Sequence, residues 1–395
     1  MEVHRVRLPL AVALAVAAAG AATLILYPRE GQIDPASVEP RAYFSPAQLE
    51  RADEFRTPQR VIALTNLGVS TALLLIVAVR PPRRFRRALE RGKPYRTAAA
   101  AGAGLSLTLG VATLPLGAVL HQRAKDVGLA TQDWPAWLGD VVKSEAIGAT
   151  FAAVGGLLFL GLVRRFPRRW WIAGAGAVVA IGVLFTYVSP VVLDPIFNKF
   201  TPLEQGEQRR DVLALADKAD VDVGQVYRID ASRRTTGVNA YVNGIGHTKR
   251  VVLYDNLIDK FPRDQVNSIV AHELGHVHYT DVPKGLLWLA IVAPFATLLV
   301  QRLTERIAGP DAGLGGERGK ANALALPAVA LSLGVVQFGV TTISNVQSRA
   351  VERRADAYAL DLTRDPAALI AVQRQLAVNN VSDPDPPRGG GARGG

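Results

Sequence analysis

The chain of 395 residues contains no cysteine, which excludes disulfides, thiolate metal ligands and a cysteine nucleophile. Histidine is scarce as well: there are six, and none follows His278. A metal site drawing on the last part of the chain must therefore take a carboxylate there. Only 20% of the residues are charged against 49% hydrophobic, and the charges are missing in blocks. The net charge of +11 does not form a stripe that would track a phosphate backbone. Its basic residues sit at the ends of apolar runs, the pattern of membrane topology. The expected partner is a lipid bilayer, with no nucleic acid.

The first block without charge runs from Leu8 to Tyr27, 20 residues and long enough to cross a bilayer. Arg5 and Arg7 precede it as in a signal peptide, but its apolar run is too long, so it reads as an uncleaved anchor. Residues 28–60 read as an acidic, proline-containing loop with an amphipathic helix from Pro46 to Phe55. Further spans are expected at about 61–79, 97–120, 146–163, 170–193, 285–301 and 321–343. Glycine and alanine are abundant in them, which is compatible with close helix packing. The expectation is a mainly α, multi-pass membrane protein of about seven transmembrane helices. Four units follow: a membrane region at 1–193, an insertion at 194–283, two more spans with a long helix at 284–380, and a Gly/Arg/Pro tail at 381–395 that reads as disordered. An integral position in the cell membrane of a prokaryote fits this organisation.

One stretch carries chemistry. Ile269-Val-Ala-His-Glu-Leu-Gly-His contains His272, Glu273 and His276 in HExxH spacing. Residues four apart share a helix face, so both imidazoles reach one metal ion, with Glu273 beside them to act on a water. The pattern predicts a zinc hydrolase holding one Zn2+ per chain. A buried helix whose histidines merely pack is the alternative, and the spacing argues against it. His278 falls off that face. The extended motif of metzincins is absent, because Tyr279 and Val282 stand where it needs Gly and His. A carboxylate ligand is offered by Ser348-Arg-Ala-Val-Glu-Arg-Arg-Ala-Asp-Ala-Tyr, where Glu352 and Asp356 are four apart. Glu352 would bind the metal and Asp356 would hold a ligand imidazole. With Arg349, Arg353 and Arg354 alongside, the same stretch taken alone would be a solvated charged helix.

HELGH followed by this Ser-Arg-x-x-Glu-x-x-Ala-Asp-Ala element resembles the integral-membrane zinc proteases typified by the CaaX prenyl endopeptidases. The resemblance runs from about residue 40 to 375 and takes in Asn239-Ala-Tyr-Val and Arg250-Val-Val-Leu-Tyr-Asp. It implies His272, His276 and Glu352 as zinc ligands, Glu273 as catalytic base and Asp356 behind a ligand. It also implies a peptide substrate, including lipid-modified ones. The family's late His-Pro element is not found; the chain ends in Pro386-Pro-Arg-Gly-Gly-Gly-Ala-Arg-Gly-Gly.

Within the insertion, short β-branched and aromatic runs at 225–230, 237–242 and 249–254 read as a small sheet next to the zinc helix. Asn243-Gly-Ile-Gly is a hairpin-turn signal. An edge strand there would lay an extended peptide over the metal, and the resemblance puts Asn239 and Ala240 on it. A membrane quality-control protease would share these motifs. A site-2-type protease would need an Asp-Gly motif in a late span, which is absent, and a scaffold or transporter-like protein would carry a degenerate site. Short-loop charge is uneven: 18 Arg/Lys in the N-terminus and the 80–96, 164–169 and 302–320 loops, against 8 in the 28–60 and 121–145 loops. The basic set is expected to be cytoplasmic, leaving 194–283 on the other side.

Overall fold

The computed structural model describes residues 7–33, 39–244, 246–309, 312–314 and 321–382. The N-terminal half is helical: α1 (Leu8–Leu26), α2 (Pro46–Val79), α3 (Arg83–Arg91), α4 (Pro94–Asp126), α5 (Trp134–Arg165) and α6 (Trp170–Val192). A short α7 (Asp194–Phe197) leads into strand β1 (Phe200–Pro202), α8 (Glu207–Lys218) and strands β2 (Gln225–Ile229), β3 (Ala240–Asn243) and β4 (Arg250–Tyr254). Helices α9 (Asp255–Lys260), α10 (Arg263–His278), α11 (Asp281–Ile307), α12 (Leu326–Thr363) and α13 (Pro366–Asn379) complete it. Seven of these, α1, α2, α4, α5, α6, α11 and α12, are long and apolar enough to cross a membrane.

The membrane helices depart from the sequence reading in two places. The amphipathic stretch from Pro46 is not a separate helix but the start of the 34-residue α2, opened by a capping box of Ser45 and Gln48. Pro58 sits inside it and frees the carbonyl of Glu54, four residues back, from its helical donor. Arg123 of α4 donates to that carbonyl at 2.6 Å, so the helix continues. The basic loop after α2 folds as α3, with Leu89 buried and Phe85 packed against the core near Ala312 and Leu324. Helices α4 and α5 meet closely, since a Cβ at Gly102 or Gly156 would run into a backbone carbonyl of the other helix.

The sheet has the order β1-β2-β4-β3, with β2 and β4 parallel and the outer pairs antiparallel. β1 was not foreseen, being three residues long. The expected hairpin forms between β3 and β4, closed by a longer loop from Gly244 to Lys249, of which Ile245 lies outside the described residues. Gly244 has φ +104°, and a side chain there would strike the backbone of Thr248. One face of the sheet packs on α10: Val226, Val251 and Leu253 share a buried core with Val266, Val270 and Leu274. The sheet is tied to the bundle by Arg250, which donates to the Pro190 carbonyl at 2.6 Å and lies over the ring of Phe200. The tail expected to be disordered lies outside the described residues from 383 onward.

Candidate metal centre

α10 buries Val266, Val270, Ala271 and Leu274, a stripe at helical spacing that fixes its rotation against the sheet. That rotation turns His272, Glu273 and His276 toward α12. The two helices approach closely at Gly275, where a Cβ would sit 3.2 Å from the ring of Tyr358 and 3.4 Å from Cα of Ala355. The glycine of HELGH therefore admits the helix that carries Glu352.

The Nε2 atoms of His272 and His276 lie 3.2 Å apart. Glu352 Oε2 is 3.4 Å from the first and 3.8 Å from the second. Ligand bonds of about 2.0–2.2 Å in a tetrahedron put donor atoms about 3.3–3.5 Å from each other. The three side chains thus fit one tetrahedral metal ion, with Glu352 half exposed at the open side. Both imidazoles present Nε2 inward because Nδ1 is engaged outward. His272 Nδ1 lies 2.9 Å from Asp356 Oδ1, and His276 Nδ1 lies 3.0 Å from Asp281 Oδ2. These contacts assign the tautomer with the proton on Nδ1.

The electrostatics favour a cation. Burial pushes the His272 imidazole down, but Asp356 and Glu352 together raise it to about 10. A proton held that strongly marks a place where a metal ion would be attracted in its stead. Burial also pushes the Glu273 carboxyl above its ordinary range, and His272 and His276 offset only part of this. Glu273 is thereby shifted toward the range in which a carboxylate exchanges protons.

His278, in contrast, is exposed and stacks on Tyr358 with centroids 4.6 Å apart, away from the ligand set. Arg354 does not lie on a solvated face, as the charged run alone would have it. It is 6% exposed, ion-paired to Asp281, with its guanidinium 4.1 Å from the centre of the Tyr279 ring. Asp281 gave no motif signal. It follows Thr280, whose left-handed φ of 53° turns the chain sharply from α10 into α11.

β3 is an edge strand, paired only to β4 among the described residues. Asn239 stands just before it and Ala240 begins it. A cavity of about 300 Å3 joins the strand to the metal cluster, lined among others by Tyr187, Val242, Asn243, Glu273 and His276. The strand residues facing that space are thus Val242 and Asn243; Asn239 and Ala240 lie outside its lining.

The profile of peptidase family M48 matches residues 202–387, and that of the CAAX prenyl protease N-terminal region, described as five membrane helices, matches 118–199. An uncharacterised metalloprotease of Bacillus subtilis, YhfN, is 30% identical over 352 residues, covering 88% of this chain and 83% of its own. CAAX prenyl protease 1 of Saccharomyces cerevisiae is 38% identical over 146 residues, 35% of this chain and 31% of its own. The crystal structure of S. mikatae Ste24p shares the fold with a TM-score of 0.73 at 20% identity, covering 95% of this chain and 92% of that one. These likenesses, with an HExxH helix facing a carboxylate helix in a seven-span bundle, do not favour the scaffold or site-2 alternatives. The chain belongs to peptidase family M48, as a membrane-embedded metalloendopeptidase.

Proposed function

We propose that the metal is a single Zn2+ held by His272, His276 and Glu352, that Glu273 is the general base, and that the substrate is a hydrophobic or lipid-modified peptide met at a prokaryotic cell membrane. The observation that carries this is the convergence of three ligand atoms within 4.8 Å of one another, two from α10, which also presents Glu273, and one from α12. Zinc, when bound, supplies Lewis acidity toward the scissile carbonyl and the attacking water.

The rest of the chemistry belongs to the protein. Glu273, half-buried beside both histidines, takes the proton from the attacking water and passes it to the leaving amine. Asp356 keeps His272 in the tautomer that frees Nε2. An extended peptide lies along β3 and brings one of its carbonyls over the metal cluster. The apolar bundle beside the site and the prenyl protease relatives support a substrate with a lipid or hydrophobic segment. The Bacillus relative supports the prokaryotic setting.

The test is the purified protein with zinc counted by elemental analysis and cleavage followed on prenylated and plain versions of one peptide. One zinc per chain and zinc-dependent cleavage, faster with the prenyl group, are expected. Full zinc occupancy without cleavage of any peptide overturns the reading, and equal rates on both peptides overturn its lipid part.

A further inference from the structure

The two imidazoles are held differently. Asp356, behind His272, has 35% of its side chain exposed, so water solvates its charge. Asp281, behind His276, has only 11% exposed. A carboxylate so far removed from water is costly unless a cation or several donors face it. Arg354 is the cation. Its NH2 group donates to Asp281 Oδ1 while Oδ2 faces His276, so the carboxylate bridges the guanidinium and the imidazole. The guanidinium itself lies over the Tyr279 ring, at the end of α10, and is buried to the same degree as the core around it.

We infer that Arg354 is a positioning residue for the metal centre, acting on His276 through Asp281. One five-residue stretch of α12 then does three things: Glu352 offers a ligand, Asp356 orients His272 directly, and Arg354 orients His276 by relay. The relay is needed because His276 lies at the end of α10 beside the turn into α11, where α12 presents no carboxylate to its Nδ1. Asp281 fills that gap from the first turn of α11, and Arg354 fixes which way its oxygens point. Lysine would not serve equally, since one compact ammonium cannot both cover the Tyr279 ring and reach the carboxylate as the extended guanidinium does.

This inference rests on the zinc-site reading above, and its test does not depend on turnover. In the full-length protein, R354Q is expected to weaken zinc about tenfold in chelator competition, the size seen when a group behind a metal ligand is removed. The visible spectrum of the Co2+-substituted protein should shift, reporting altered ligand geometry, which the lower melting temperature expected from leaving Asp281 without its buried cation would not by itself produce. D281A should weaken zinc at least as much, and the double variant R354Q/D281A no more than D281A alone, because the arginine acts only through the carboxylate. R354K should fall below wild type and above R354Q. Wild-type zinc affinity and Co2+ spectrum in R354Q overturn the inference, as do losses that multiply in the double variant. If R354Q does not fold, R354K decides: wild-type affinity there overturns it. A protein that binds zinc through this relay but cleaves no peptide would instead refute the peptidase reading alone.

Discussion

The register of β3 makes a substrate-pairing test specific to single residues. Tyr254 N–H donates to the Asn239 carbonyl at 3.1 Å, which marks these two as a hydrogen-bonded pair across β3 and β4. Such pairs alternate in an antiparallel ladder, so Tyr241 and Asn243 also bond inward, while Ala240 and Val242 turn N–H and C=O to the free edge. The N–H of Ala240 is already taken by the side-chain oxygen of Asn239 at 2.9 Å. Val242, which lines the cavity next to Glu273, is therefore the edge donor open to a peptide. V242P removes that donor and leaves the ladder to β4 intact, a position where edge strands accept proline. One backbone hydrogen bond is worth about 0.5–1.5 kcal/mol net, so kcat/KM should fall about 2- to 13-fold. Zinc content and melting temperature should stay close to wild type. A240P, at a donor already occupied, should cost less, and Y241P, which breaks the ladder, should destabilise the fold. Measured by cleavage of a fluorogenic peptide, an unchanged kcat/KM in V242P with folding intact would refute pairing on this edge.

Four further outcomes are expected. E273Q should keep one zinc per chain and lose about 10²- to 10⁴-fold in cleavage rate, whereas E352A should lose zinc; normal turnover by E273Q rules out its role as base. D356A should weaken zinc about 10- to 100-fold with the fold retained, and wild-type affinity in chelator competition would count against it. Although burial pushes the Asp211 carboxyl up, hydrogen bonds from Arg263 and Asn267 outweigh it and hold the group below its usual value. Its stabilising contribution is thus present above the ordinary carboxylate pKa and is lost as pH falls through the lowered folded value, so R263Q should move acid unfolding to higher pH by circular dichroism. A reporter fused after Asn380 should be active only in its non-cytosolic form if the basic loops face the cytoplasm, and cytosolic activity alone would invert that assignment.

The seven spans were legible because a run of apolar residues long enough for a bilayer has few other uses. The joining of 46–55 to its span was not, because Pro58 looks like a boundary. Nothing local says that Arg123, 65 residues later, satisfies the carbonyl it frees. HExxH was legible since its spacing is itself the geometry of one helix face, and Glu352 with Asp356 since they stand four apart on another helix. Asp281 and Arg354 were not. The first depends on a left-handed turn at Thr280, and the second stands among other arginines in a run that reads as solvated. Their roles come from three helices meeting, which no linear spacing records. The same limit applies to β3: its β-branched and aromatic residues located the strand, while the residues lining the cavity beside Glu273, Val242 and Asn243, emerged only from the folded chain.

α12 runs for 38 residues without an internal proline, and Glu352 stands 26 residues after its start at Leu326. At 1.5 Å per residue this is about 39 Å of unbroken helix, against a hydrocarbon layer of about 30 Å. The long helix works as a measuring rod. It carries no proline joint between its apolar start and Glu352, so the distance of the proposed ligand from the start of the span is set by chain length. For the bilayer-anchored peptide proposed as substrate, the number of residues between its anchor and its scissile bond is then expected to matter for cleavage, in addition to whatever side chains it carries.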